Sequence, residues 1–257
     1  MRYYISDCHF YHNALLAHMD KRGFESVEKM NEAMIEAWNS RVRKNDEVVI
    51  LGDFSWGTTE QTEEILKQLK GKKFLIRGNH DLFLEDKKFD ASKYFGWVKD
   101  YAELSDNKRK VVLSHYPIAC YNSQYRRNEQ GVPTAFMLHG HIHSTQDQDF
   151  MDAWCDLLSR QKHLSLHTHE MEGVPCQIIN CFCQYSNYVP QTLDEWIEID
   201  KNRRAKKTVP SLVEKKKKAS RKRKPQRKQA AKLPPVKKSR PVLKPARKKV
   251  KASGPIE

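Results

Sequence analysis

After Trp196 the sequence has no aromatic residue, and from Lys201 onward it has only two acids, Glu214 and Glu257. A stretch with so little to bury cannot offset the conformational entropy lost on folding. Against those two acids stand 24 Lys and Arg, so the segment carries +22 of a chain total of +15 and leaves residues 1–200 at −7. Two different materials are expected. Residues 1–200 form an acidic domain long enough for one well-filled core. Residues 201–257 form a disordered tail rich in Lys, Arg and Pro.

Other absences narrow the class. No apolar run approaches the ~18 residues that a membrane-spanning helix needs. No basic and then apolar leader precedes the first strand, which is expected from Arg2. The six cysteines, Cys8, Cys120, Cys155, Cys176, Cys181 and Cys183, include no C-x-x-C pair. Zinc-ribbon chemistry is therefore excluded, and without a secretory signal the thiols are expected to be reduced. Cys181 and Cys183 are two apart, so they are expected on one face of a strand, in the core. The location these features suggest is intracellular and cytoplasmic, with no membrane partner. Nuclear import of the basic clusters is an option in a eukaryotic setting.

Five apolar runs are present, each ending in residues of metal-ligand type. Tyr3-Tyr4-Ile5 leads to Asp7-Cys8-His9. Val48-Val49-Ile50-Leu51 leads to Gly52-Asp53. Phe74-Leu75-Ile76 leads to Gly78-Asn79-His80-Asp81. Val111-Val112-Leu113 leads to Ser114-His115. Ala135-Phe136-Met137-Leu138 leads to His139-Gly140-His141-Ile142-His143. In open α/β sheets ligands bind at the carboxyl ends of the strands, so five such ends can surround one site.

Helical spacing over 24–42 (Phe24, Val27, Met30, Met34, Trp38) predicts a core-facing helix. Thr58 caps a second helix, which Gly71 ends. Alternating strands and helices imply a partly parallel sheet covered on its faces. Residues 97–104 and 108–113 are expected to pair as strands. Residues 121–132 are expected as a polar loop whose Arg126 and Arg127 are more plausibly solvated than bound to phosphate. A helix is expected over 147–161, an edge strand over 163–169 with His163, His167 and His169 facing solvent, a strand over 176–183, and a last helix over 193–199.

The pattern D-x-H, G-D, G-N-H-D, H and G-H-x-H resembles the calcineurin-like metallophosphoesterase superfamily over roughly residues 1–200. The run Asp7-x-His9-Phe10-x-His12 and the closing Asn187-Tyr188-Val189-Pro190-Gln191-Thr192-Leu193-Asp194-Glu195 are similar to a small bacterial and viral branch of it. Cys8, Tyr11 and a longer segment between His143 and Cys176 depart from that branch. The resemblance implies a four-layer α/β/β/α sandwich with mixed β-sheets. It also implies a hydrolase holding two divalent metal ions (Mn, Fe, Zn or Mg, with Mn favoured). Asp7, His9 and His143 would bind the first cation, and Asn79, His115 and His141 the second. Asp53 is the candidate bridge, because Asp7 is already paired with His9.

Ligands of carboxylate, imidazole and amide oxygen, without thiolate, suit such cations. Two cations sharing an anion would supply a hydroxide for in-line attack on phosphorus. His80 is then expected to protonate the leaving oxygen, with Asp81 holding its tautomer. Asn79 and His12 are candidate substrate contacts, and for His12 a helix cap is an equal alternative. Gly52-Asp53-Phe54-Ser55-Trp56-Gly57 lacks the arginine of the Ser/Thr phosphatases, so a phosphodiester or nucleotide substrate is favoured.

Two competing functions come from other classes. One is a scaffold on the same fold without catalysis, disfavoured because every motif is intact. The other is a nucleic-acid-binding protein whose main element is the tail. There, Lys215, Lys216, Lys217 and Lys218, with Arg221, Lys222, Arg223 and Lys224, would bind phosphates by counterion release.

Overall fold

The computed structural model describes residues 1–165 and 168–206. Strands β1 (Arg2–Ile5), β2 (Glu47–Ile50), β3 (Lys72–Ile76) and β4 (Phe95–Lys99) form one sheet in that order. Every neighbouring pair in it is parallel. Parallel neighbours need crossovers. Helix α1 (Val27–Arg41) joins β1 to β2, and α2 (Thr59–Gln68) joins β2 to β3. Both helices begin where the sequence places a hydroxyl. Ser26 accepts from Lys29 N, and Thr58 and Gln61 form a reciprocal capping box.

The second sheet holds β5 (Tyr101–Asp106), β6 (Arg109–Ser114), β7 (Ala135–His139) and β10 (Ile178–Asn180), in the order β10-β7-β6-β5. Only the β5–β6 hairpin is antiparallel. The first sheet is thus wholly parallel, and mixing is confined to the second. Between β7 and β10 come α3 (Gln146–Ser159) and a hairpin of β8 (Lys162–Leu164) and β9 (Met171–Gly173). Helix α4 (Leu193–Lys206) closes the described part.

Alternating strand residues divide the apolar side chains among three interfaces. Tyr4, Val49, Leu51 and Ile76 of the first sheet meet Val111, Leu113, Phe136 and Leu138 of the second. On the outer face of the first sheet, Ile5, Val48 and Ile50 pack on Met30, Met34 and Trp38 of α1 and on Ile65 and Leu66 of α2. On the outer face of the second, Val112, Met137 and Ile178 pack on Cys155 of α3. This is the α/β/β/α order. Trp196 of α4 enters the inter-sheet core and donates Nε1–H to the Tyr4 carbonyl at 2.9 Å. Among the described residues no helix is long and apolar enough to cross a membrane.

Four expectations need correction. The strand expected over 97–104 breaks at Asp100, and its halves join different sheets. Its apolar pattern does not reveal which neighbour each half takes. The strand expected over 163–169 is a hairpin that turns within that span, with His169 at φ 57°, and His167 lies outside the described residues. Cys181 and Cys183 do not share a face. Cys181 lies between the sheets, whereas Cys183 opens a 3-10 turn and packs in the core under α1.

The boundary expected after Asp200 falls inside α4. Past it, Arg203 makes a bidentate pair with Asp152 of α3 at 2.6 and 2.7 Å, and Arg204 Nη2 donates to the Ile178 carbonyl of β10 at 3.0 Å. Side chains on 203 and 204 thus hold α4 to the body as its last turn forms. The lysine and arginine clusters of 215–224 lie outside the described residues.

Candidate metal centre

The carboxyl ends of β1, β2, β3, β6 and β7 converge at the edge where the two sheets meet. Ser6 N donates to Cys181 O at 2.8 Å and Cys183 N to Ser6 O at 3.1 Å, so the sheets are joined there by backbone. Each expected ligand leaves a strand end in a tight turn. Asp7 (φ 54°), His9 (φ 50°), Asp53 (φ 52°), His141 (φ 69°) and His143 (φ 45°) all occupy the left-handed region. For residues with a Cβ this conformation costs roughly 1–3 kcal/mol each and persists only where the surroundings enforce it.

Two glycines make room for the carboxylates. A Cβ on Gly78 would stand 2.2 Å from Asp53 Oδ1, and one on Gly140 would stand 2.6 Å from Asp7 Oδ2. These close approaches explain the glycines of G-N-H-D and G-H-x-H better than turn formation does.

The donor atoms fall into two groups, each gathered within 4.8 Å. One is Asp7, His9, Asp53 and His143; the other is Asp53, His115 and His141. Asp53 belongs to both. Its Oδ2 lies 3.4 Å from His9 Nε2 on one side and 3.4 Å from His115 Nε2 on the other. His9 Nε2 is 3.2 Å from His143 Nε2, and Asn79 Oδ1 is 3.1 Å from His115 Nε2. All seven expected ligands are therefore brought together.

Hydrogen bonds behind the imidazoles set which nitrogen faces the site. His115 Nδ1–H donates to the Leu51 carbonyl at 2.8 Å, so Nε2 is the nitrogen that faces Asp53 and Asn79. His143 Nδ1–H donates to Asp20 Oδ1 at 2.7 Å, leaving Nε2 toward Asp7 and His9. Asp20 is itself held by Arg22, at 3.0 Å from both Nε and Nη2. Arg22 then donates to the Cys8 carbonyl at 2.6 Å and to the Asp7 carbonyl at 2.8 Å. One buried ion pair thus orients a histidine of the loop after β7 and braces the loop after β1.

The electrostatics fit divalent cations. Asp7 and Asp53 are buried carboxylates that need positive charge close by. Burial lowers the His115 pKa, but Asp53 and Asp7 outweigh it and raise it to about 9. Burial likewise pushes Asp53 up, while His115 and His9 pull it down to about 2. Burial holds His9 well below the usual imidazole range, in the neutral ligand form. Oxygen and imidazole donors, bent into place around a common carboxylate, suit two cations without thiolate.

His80 and His12 flank this cluster. The His80 ring centroid is 5.6 Å from that of His9, and the His12 centroid is 5.1 Å from it. His12 does not cap the following turn with its side chain. It stacks on Trp56 at 4.1 Å and 12°, and Trp56 also lies 4.7 Å from His80.

Asp81 departs from expectation. It does not hold the His80 ring. Its Oδ2 accepts from Gly78 N at 2.8 Å and Asp53 N at 3.0 Å, and its Oδ1 accepts from Phe54 N at 2.7 Å. Buried, it staples the turn after β2 to the turn after β3 and so fixes Asp53. Arg127 is also structural. Its guanidinium donates to Gly131 O at 2.7 Å and Gly173 O at 2.6 Å, tying its loop to β9.

The residues that sequence reasoning missed are Asp20, Arg22, Trp56 and Tyr116. Tyr116 lies 4.5 Å from His141, ring to ring. None of the four stands at a motif spacing. Asp20 and Arg22 sit in a polar loop that reads as surface, although both are buried in the fold.

A sandwich whose strand ends bring carboxylates and imidazoles around one shared Asp has the form of a metallophosphoesterase. The chain belongs to the calcineurin-like phosphoesterase family, whose model matches residues 3–173 and whose members hydrolyse phosphoesters. It is 30% identical over 212 residues to an uncharacterized protein of Methanocaldococcus jannaschii, covering 82% of this chain and 97% of that one. It is 32% identical over 205 residues to the Gene 66 protein of Mycobacterium phage L5, covering 67% of this chain and 97% of that one. A crystal structure of a protein of unknown function from Aquifex aeolicus has a similar fold, with a TM-score of 0.50 at 24% identity, over 78% of this chain and 98% of that one.

Proposed function

We propose that this protein is a dinuclear-metal phosphoesterase acting on phosphodiester or nucleotide substrates, with Mn²⁺ the favoured ion. The observation that carries the reading is Asp53, whose Oδ2 stands 3.4 Å from a histidine of each ligand group. Asp7, His9 and His143 would hold one cation, Asn79, His115 and His141 the other, and Asp53 both. Bound there, two cations supply Lewis acidity and an acidified water.

The chain's own residues then have distinct tasks. Asp81 and the Asp20–Arg22 pair hold the donors in place. His80, at the edge of the cluster, gives a proton to the leaving oxygen. Its ring is positioned by packing near Trp56 and His9. Asn79, exposed at the edge of the cluster, would contact a phosphoryl oxygen as well as the cation. The tail beyond the described residues, with its Lys and Arg clusters, would hold polyanionic substrate near the acidic domain.

A hydrolysis panel tests this. Aryl phosphomonoester, aryl phosphodiester, cyclic nucleotides and single-stranded DNA are assayed with and without added Mn²⁺. The expected result is Mn²⁺-stimulated turnover that favours a diester or nucleotide. Turnover of the monoester alone would overturn the substrate assignment. No metal-dependent turnover of any of the four would leave the scaffold reading in its place.

A further inference from the structure

Cys155 and Cys176 take no part in the metal centre. Cys155 projects from α3, and Cys176 precedes β10 by two residues. Their Sγ atoms are 3.2 Å apart in a thiol hydrogen bond, so an approach of about 1 Å would bring them to the ~2.05 Å of a disulfide bond. Arg204 of α4 brings Nη2 to 3.7 Å from Cys155 Sγ. The hydrogen bond from Cys176 lowers the Cys155 pKa, with Arg204 helping and burial opposing. The same contact, with burial, pushes the Cys176 thiol up. Cys155 is therefore the sulfur favoured as thiolate, the form that reacts with an oxidant, and Cys176 is the neighbour within reach to resolve it.

Access separates this pair from the other buried cysteines. Cys155 and Cys176 line a surface pocket of about 360 Å³, with Asp200, Lys201 and Arg204 on its wall. Cys8, Cys181 and Cys183 are buried in the cores, and burial raises the pKa of all three thiols. Cys120 is exposed. The pair also brackets the β8–β9 hairpin, which lies in the long segment between His143 and Cys176.

We propose that Cys155 and Cys176 form a reversible oxidation site, taking a small two-electron oxidant such as hydrogen peroxide and closing to a disulfide. The Cys155 thiolate attacks one peroxide oxygen. The S–O bond forms as the O–O bond breaks, and the departing hydroxide takes a proton to become water. The Cys176 sulfur then attacks the sulfenic sulfur of Cys155. The S–S bond forms, the S–O bond breaks, and the hydroxyl leaves as water with the Cys176 proton. Two thiols lose two electrons, and one peroxide becomes two waters. A small thiol returns the pair to its reduced form by exchange. The disulfide closes the loop from 155 to 176 and restrains the unfolded chain. It should raise Tm by roughly 5–10 °C.

The test uses the full-length, metal-loaded protein with Cys120→Ser, which removes the exposed competing thiol. Peroxide should lower its mass by about 2 Da, yield a peptide joining Cys155 to Cys176, and raise Tm, all reversed by dithiothreitol. With Cys176→Ser added, Cys155 should be trapped by dimedone as a sulfenic acid. The proposal is overturned if both sulfurs remain alkylatable at peroxide doses that fully oxidise Cys120 in the unsubstituted protein. It is equally overturned if the disulfide maps to another pair. Should Cys176→Ser lose its native circular dichroism, the peptide map of the Cys120→Ser protein decides alone.

Discussion

His143 Nδ1 lies 2.7 Å from Asp20 Oδ1, so a loop carboxylate decides which nitrogen of this histidine, just past β7, faces the metal centre. Asp20→Asn keeps the shape but weakens the acceptor and leaves Arg22 without its anion. Metal affinity is expected to fall about 10–100-fold, as for other partners of ligating histidines. Chelator competition measures it. An unchanged affinity would mean that His143 is oriented by something other than Asp20.

Removing Asp53 should remove the shared anion. The unsubstituted protein is expected to bind about two divalent ions per chain, read by elemental analysis after reconstitution. Asp53→Ala should hold at most one, and weakly. If it retains both ions, the bridging role fails.

His80 and Asp81 should separate in their effects. His80→Ala is expected to lower kcat by about 10²–10⁴ with metal content unchanged, because its side chain is assigned to proton transfer and not to ligation. The loss should be smaller for esters whose leaving group needs no proton. Asp81→Ala strips a buried acceptor from three backbone N–H groups and should destabilise the fold by about 2–4 kcal/mol. Urea unfolding distinguishes the two. A stable Asp81→Ala protein with only a kcat defect would return Asp81 to the catalytic role.

Asp152 gives a pH signature. Burial pushes its pKa up, but Arg203 and Arg204 outweigh it and hold it at about 2. Its folded pKa is thus below the unfolded value of about 3.9. The stabilisation is present above that unfolded value and is lost as pH falls through the folded one. The stability gap between the protein and Asp152→Asn should be widest above about pH 4 and narrow toward pH 2. Urea midpoints across this range test it. A gap that widens on acidification would reverse the sign.

A chain ending at Lys206 should retain turnover on a small aryl ester, whereas one ending at Asp200 loses Arg203 and Arg204 and takes both arginines away from the buried Asp152 carboxylate. That shorter chain should be less stable by about 3 kcal/mol. Both should lose binding to DNA if the tail is the tether. With the tail present and about 6–10 phosphates paired, affinity should drop by about 10³–10⁵ between 50 and 200 mM salt. Equal DNA affinity with and without residues 207–257 would eliminate the tether.

The sequence by itself showed seven residues of metal-ligand type at five strand ends, while the layer order came from the family resemblance. The strand-end placement follows from local rules. Apolar runs of β-branched residues specify strands, helical spacing specifies the crossovers, and a ligand-type residue just past a strand end can only emerge at the sheet edge. Seven side chains from five strand ends were legible for that reason. Tertiary structure alone decided the rest, because it depends on which distant atoms come into contact. Asp81 resembles a partner for its neighbour His80, yet its oxygens meet three backbone N–H groups from two turns. Asp20 and Arg22 look like loop polarity, and only folding buries them against His143 and Asp7. Residues 97–104 carry one apolar pattern that two sheets share, since period-two alternation is the same in either. Cys155 and Cys176 are 21 positions apart, and no spacing rule pairs them. Helix α3 packing on the second sheet sets their sulfurs side by side.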